Sequence, residues 1–119
     1  MRDGQPDIRE RSFAFAVRVI KLVRALPRDT CGQVVARQIA RSGTSVGANV
    51  EEAQASHSKK EFIRRMNIAR SEARETLYWL RILAETDLIT GDRLQDLTRE
   101  SNEIVSILTA IVKTSRSRE

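Results

Sequence analysis

Apolar residues recur along this chain at the three- and four-residue steps of amphipathic helices, and they do so in four blocks. The cleanest stripe is Phe62, Met66, Ala69, Ala73, Leu77, Leu80 and Ala84. A second runs through Val35, Ile39, Gly43, Val46, Val50 and Ala53, and a third through Leu94, Leu97, Ser101, Ile104, Leu108 and Ile111. Small residues at several of these positions let neighbouring helix backbones approach closely. The first block differs, because it carries two apolar stripes: Phe13, Ala16, Val17, Ile20 and Val23 on one, Phe15, Val19, Leu22 and Leu26 on the next. A surface helix needs one such stripe. A helix wedged between its neighbours would hide both. The alternative assigns Phe15, Val19, Leu22 and Leu26 to contact with another subunit, since a monomer rarely leaves a large apolar patch in water.

Capping signals place the helix starts. The pattern S/T/D/N-x-x-E/Q supplies an acceptor for an orphan backbone N–H and a side chain that reaches back to the cap. It occurs at Asp7 to Glu10, Thr30 to Gln33, Ser58 to Glu61 and Asp92 to Gln95, each ahead of an apolar-periodic stretch and near a break such as Pro6, Pro27 or Gly91. The predicted helices cover about 8–26, 31–55, 59–86 and 93–113. A fifth match, Asn49 to Glu52, falls inside the second helix and predicts a bend or restart there. The end from Lys113 onward lacks apolar residues and is expected to fray. Short connections favour antiparallel neighbours, so the fold class is all-α, an antiparallel up-down four-helix bundle.

Composition agrees with helices. A length of 119 residues suits one domain, 1–119, and a 4% aromatic share with two Pro and five Gly does not punctuate many short strands. The single cysteine, Cys31, cannot form an internal disulfide, and neither a signal-peptide core nor a membrane-length apolar run is present. The expectation is a soluble cytoplasmic protein.

The inventory argues against catalysis and against metals. His57 is the single histidine, zinc would have only Cys31 and His57, and Glu51, Glu52, Glu72 and Glu75 lack the Glu-x-x-His spacing of a di-iron bundle. Gly43 to Gly47 lacks the Gly-Lys-Ser/Thr ending of a phosphate loop and follows no strand. No nucleophile, base and metal constellation stands out, so no cofactor, small-molecule substrate or enzymatic activity is expected. Arg41, Asn49, Glu52, Glu72 and Glu75 sit beside apolar stripes rather than opposite them. They are read as an interhelical hydrogen-bond network that fixes register.

The charge is uneven. Twenty-one basic against sixteen acidic residues give +5, concentrated on the first and third helices. Arg18, Lys21 and Arg24 follow helical steps on the first. Lys60, Arg64, Arg74 and Arg81 do so on the third, with Tyr78 on the same line. Cationic side chains spaced this way can track phosphates, while a solvated face is the plainer account.

The run from Arg41 through Gly43, Val46, Asn49 and Glu52 to Ala53, followed by Ser58, Glu61 and Phe62 and then by Glu72 to Leu80, resembles the family of 23S rRNA intervening-sequence proteins. The similarity extends from about Phe13 to Leu88. The resemblance implies an up-down bundle that assembles as a ring-like homopentamer and has an RNA- or ribosome-related role. The accessory proteins of diversity-generating retroelements look like relatives, basic barrels that engage a reverse transcriptase and nucleic acid. The stretch Val46 to Ala53 departs from the Ile-Pro-x-Asn-Ile-Ala-Glu-Gly form common elsewhere in the family. The expected function is therefore a non-enzymatic, oligomeric bundle that binds RNA or a nucleoprotein through basic residues. A protein-interaction scaffold or accessory subunit is the alternative.

Overall fold

The computed structural model describes residues 7–118. They form four helices: α1 (Ile8–Val23), α2 (Thr30–Gln54), α3 (Lys59–Thr86) and α4 (Asp92–Ser117). Each packs against its neighbour in sequence, and α1 also packs against α4, whereas the pairs α1/α3 and α2/α4 make no contact among the described residues. One apolar core lies between them.

The caps explain the starts. Asp7 accepts from the Glu10 N–H at 2.9 Å and Ser58 from the Glu61 N–H at 3.1 Å. At α2 the cap is Asp29, one residue ahead of the expected Thr30, and it accepts from the Gly32 N–H at 2.7 Å. At α4 the cap is Gly91, with φ 116° and no side-chain cap bond, so Asp92 serves as the first helical residue and sets its negative charge against the positive helix end. The ends also differ from expectation. α1 stops at Val23 and reaches Leu26 through two tighter bonds, Ala25 N–H to the Leu22 carbonyl and Leu26 N–H to the Val23 carbonyl, ahead of Pro27. Helix α2 passes Asn49 to Glu52 without restarting, because Asn49 donates to the Ser45 carbonyl at 2.9 Å instead of capping a new helix. Helix α4 continues through Lys113 to Ser117. Ser117 donates to the Thr114 carbonyl at 2.9 Å and Lys59 donates to the Arg118 carbonyl at 3.0 Å, satisfying groups that would otherwise fray.

All six stripe positions of α2 are buried. On α4 the buried stripe is the expected one as far as Leu108, with Val112 in place of Ile111 at its end. On α3 the stripe turns slightly: Ile63, Thr76 and Leu83 join Met66, Ala69, Ala73 and Leu80, while Phe62 and Leu77 are half-buried and Ala84 is exposed.

The main correction concerns α1. Phe15, Val19 and Leu22 are fully buried and Leu26 nearly so, inside the chain's own core, and are therefore unavailable as an interface with another subunit. The exposed stripe is the other one: Phe13 is 69% exposed, Ile20 40% and Val17 39%. The reason lies in α2. A Cβ on Gly43 would stand 2.8 Å from both Val19 methyl carbons, and one on Gly47 would stand 3.2 Å from the Ser12 carbonyl oxygen. The two glycines thus admit the Ser12 and Val19 side of α1 into the core and turn the Phe13 side outward.

Candidate functional site

Three surfaces carry the chemistry. The first is a polar clamp between α2 and α3. Arg41 points its Nη1 at the Glu72 carboxylate, 3.3 and 3.4 Å from its oxygens, and its Nη2 at Glu75. Trp79 Nε1 donates to the same Glu75 oxygen at 3.1 Å. The structure therefore joins Arg41, Glu72 and Glu75 in one group, at the bundle surface rather than in its core, since the Arg41 side chain is 48% exposed. Asn49 belongs to a separate pair, accepting from Arg65 Nη1 at 3.3 Å. Glu52 is exposed, and its carboxylate has no hydrogen-bond or ion-pair partner among the described residues. It stands outside the network.

Three cross-helix contacts escaped the sequence reading. Ser42 and Thr76 bring their hydroxyl oxygens within 2.8 Å in a fully buried position, and Thr76 Oγ1 lies at the same distance from the Glu72 carbonyl. Ser101 donates to the Ala73 carbonyl at 3.2 Å across α4 and α3. Arg11 joins α1 to α4 through two parallel bonds to Glu100, of 3.0 and 2.7 Å, and a third to Glu103 at 3.3 Å. The Glu100 hydrogen bonds, opposed by burial and reinforced by Glu103, raise the Arg11 guanidinium above its ordinary pKa. The position of Arg11, beside Ser12 on the buried edge of α1, was the available signal.

The second surface is cationic. Lys60, Arg64, Arg74 and Arg81 are exposed on α3; Lys21 and Arg24 are exposed on α1, where Arg18 is half-buried. Because α1 and α3 do not touch, the structure does not bring these two sets onto one face. Arg64 is engaged with Glu61 at 3.0 Å, which raises the Arg64 pKa and lowers that of Glu61, Arg65 adding to the latter effect. Among the described residues the other six have no carboxylate within ion-pair distance. Tyr78, 56% exposed, stands between Arg74 and Arg81 in sequence and meets Trp79 edge-on at 5.4 Å.

The third surface is apolar. Phe13, Ala16, Val17 and Ile20 of α1 line two shallow grooves with Thr44, Gly47 and Ala48 of α2, of about 180 and 350 Å³. The Arg9–Glu51 ion pair, 3.3 Å, lies at one end and Lys21 with Arg24 at the other. Among the described residues no group of three His, Cys, Asp or Glu side chains is placed to hold a metal ion. Nor is any helix there long and apolar enough to cross a membrane. Cys31 and His57 are exposed and far apart in sequence.

These surfaces belong to an all-α protein of four packed helices, and the candidate residues lie on its outside. Residues 5–110 match the family described as 23S rRNA-intervening sequence protein, and the chain belongs to that family. It is similar to a crystal structure of a protein of unknown function from the S23 ribosomal protein family of Bacteroides thetaiotaomicron. The two share 40% sequence identity with a TM-score of 0.84, over 90% of this chain and 99% of that one. No curated protein matches it.

Proposed function

We propose that this protein is a non-enzymatic, cytoplasmic, self-assembling up-down bundle that binds RNA through its basic faces. The observation that carries the RNA reading is the set of exposed, unpaired cations on α3, Lys60, Arg74 and Arg81, with Arg64 beside them. A cation already paired to a carboxylate gains little from a phosphate, whereas an unpaired one releases the phosphate's counterions. Membership of the rRNA-intervening family points to the same ligand. Arg18, Lys21 and Arg24 on α1 form a second, separate patch. The up-down arrangement is supported by Arg9 meeting Glu51, which joins the start of α1 to the end of α2, by Val19 near the end of α1 facing Gly43 in the middle of α2, and by Lys59 at the start of α3 meeting Arg118 just past the end of α4. Self-assembly is supported by the Phe13, Val17 and Ile20 face, which water would otherwise cover. The count of five in a ring comes from the family resemblance.

The test is binding of a structured RNA across a salt series. Wild-type protein binds at low salt and weakens steeply toward physiological salt, and Lys60→Ala, Arg64→Ala and Arg74→Ala together reduce both affinity and salt slope. Absence of binding at low salt, or binding indifferent to salt and to the three changes, refutes the RNA reading.

A further inference from the structure

Arg70 is the one residue among those described with a buried side-chain polar atom lacking a hydrogen-bond partner. Its Nη2 donates to Asn67 Oδ1 at 2.6 Å, which fixes the guanidinium, while its Nε–H finds no acceptor. That nitrogen is closed off from solvent and out of reach of a surface ligand, but the side chain as a whole is half-buried and Asn67 holds its guanidinium in place. Arg70 lines a groove of about 490 Å³ between α3 and the last turns of α4, together with Thr109, Val112, Lys113, Arg116 and Ser117. No acidic residue lines this groove, and neither Lys113 nor Arg116 has a carboxylate partner among the described residues.

We propose that this groove seats a phosphodiester of RNA, with the Arg70 guanidinium, Lys113 and Arg116 supplying the counter-charge. The inference rests on the RNA reading above and names its site. Three cations without an acid select an oxyanion, and the planar guanidinium suits phosphate, which offers several oxygens at once. A helix C-terminus disfavours an anion by itself. Here Arg116 lies in that last turn and Lys59 already occupies the Arg118 carbonyl, which counters the effect. A polymer is favoured over a free ion because the charge continues. Arg74 follows Arg70 by four residues, roughly 6 Å along the axis, and Arg81 follows seven further on, along the same edge of α3.

Fluorescence anisotropy with a labelled RNA hairpin, over a salt series, tests this on the full chain. Lys113→Gln with Arg116→Gln changes two exposed residues, and circular dichroism confirms that the helices persist. The pair is expected to weaken RNA binding by roughly tenfold or more at low salt and to reduce the salt slope by about two, one for each phosphate contact. Arg70→Lys keeps the charge and loses the planar guanidinium, so it weakens binding while leaving the slope nearly unchanged. If wild type binds RNA and these variants bind equally well with the same slope, the groove assignment is overturned and the RNA reading stands. If wild type does not bind the hairpin at low salt, both are overturned. If polyglutamate binds wild type as tightly as the hairpin and the same variants lose it, the ligand is an acidic peptide and the phosphodiester assignment is overturned.

Discussion

Ser42 and Thr76 tie α2 to α3 through hydroxyl oxygens 2.8 Å apart, both wholly removed from solvent. Each hydroxyl has one proton. With Thr76 donating to the Glu72 carbonyl, also at 2.8 Å, Ser42 is left to donate to Thr76, and the pair is satisfied without water. Thr76→Val keeps the shape but strands the Ser42 hydroxyl, at an expected cost of about 1–3 kcal/mol. Adding Ser42→Ala removes the stranded group, so the double variant should be less destabilised than the two single losses added together. Chemical denaturation of the four proteins measures the coupling; simple additivity would show that the hydroxyls act independently.

Gly43 is expected to tolerate no side chain. The Cβ of Gly43→Ala would stand 2.8 Å from Val19 Cγ1 and Cγ2, so α1 and α2 must separate, at roughly 1–3 kcal/mol for an overpacked core. Val19→Ala opens the space the new methyl needs. The double variant should therefore recover part of the loss although Val19→Ala by itself removes buried methyl groups, and thermal unfolding decides it.

The two faces of α1 give opposite outcomes to one kind of substitution. Leu22→Glu buries a carboxylate in the core and should abolish the folded state. Ile20→Glu, on the exposed face, should leave the helical signal within about 0.5 kcal/mol of wild-type stability per subunit while dissociating the assembly. Light scattering reads the mass. Wild-type protein at the 13.5 kDa of a single chain would overturn the proposed assembly.

Glu61 offers a pH test. Arg64 first, and Arg65 after it, hold its carboxylate below the ordinary value. Since the folded value is depressed, the pairing contributes fully above the ordinary glutamate range and is lost as pH falls through the depressed one. Both groups are at the surface, so the effect on stability is small. Side-chain NMR titration should place Glu61 below a free glutamate in wild type, and Arg64→Gln should return it most of the way. An unchanged titration in the variant would assign the depression to the helix start instead.

Four helices were legible in the chain because helix periodicity and capping are local. The Asp7 and Ser58 caps, the whole α2 stripe and the α4 stripe from Leu94 to Leu108 need only residues within a few turns of one another. The polar clamp was partly legible for a similar reason: Arg41, Glu72 and Glu75 flank apolar stripes and so had to lie near a helix boundary. Glu52 flanks one too, yet it finds no partner among the described residues, which spacing within one helix does not report. Thr76 carries no apolar-spacing signal because it is a hydroxyl residue, although a hydroxyl can bond the carbonyl one turn back and enter a core.

The sequence by itself determined where the helices lie and that α1 has two faces able to be buried. It could not choose between Phe15, Val19 and Leu22 on one face and Phe13, Val17 and Ile20 on the other, since the two are alike in hydrophobicity and spacing. Tertiary structure decided, through the close approach that Gly43 and Gly47 allow. It also decided that the cations of α1 and α3 are separated, and that Arg70, Lys113 and Arg116 meet though they lie more than forty residues apart in the chain. Periodicity reports an angle around one helix axis, and which neighbour occupies that angle is set only when the helices pack.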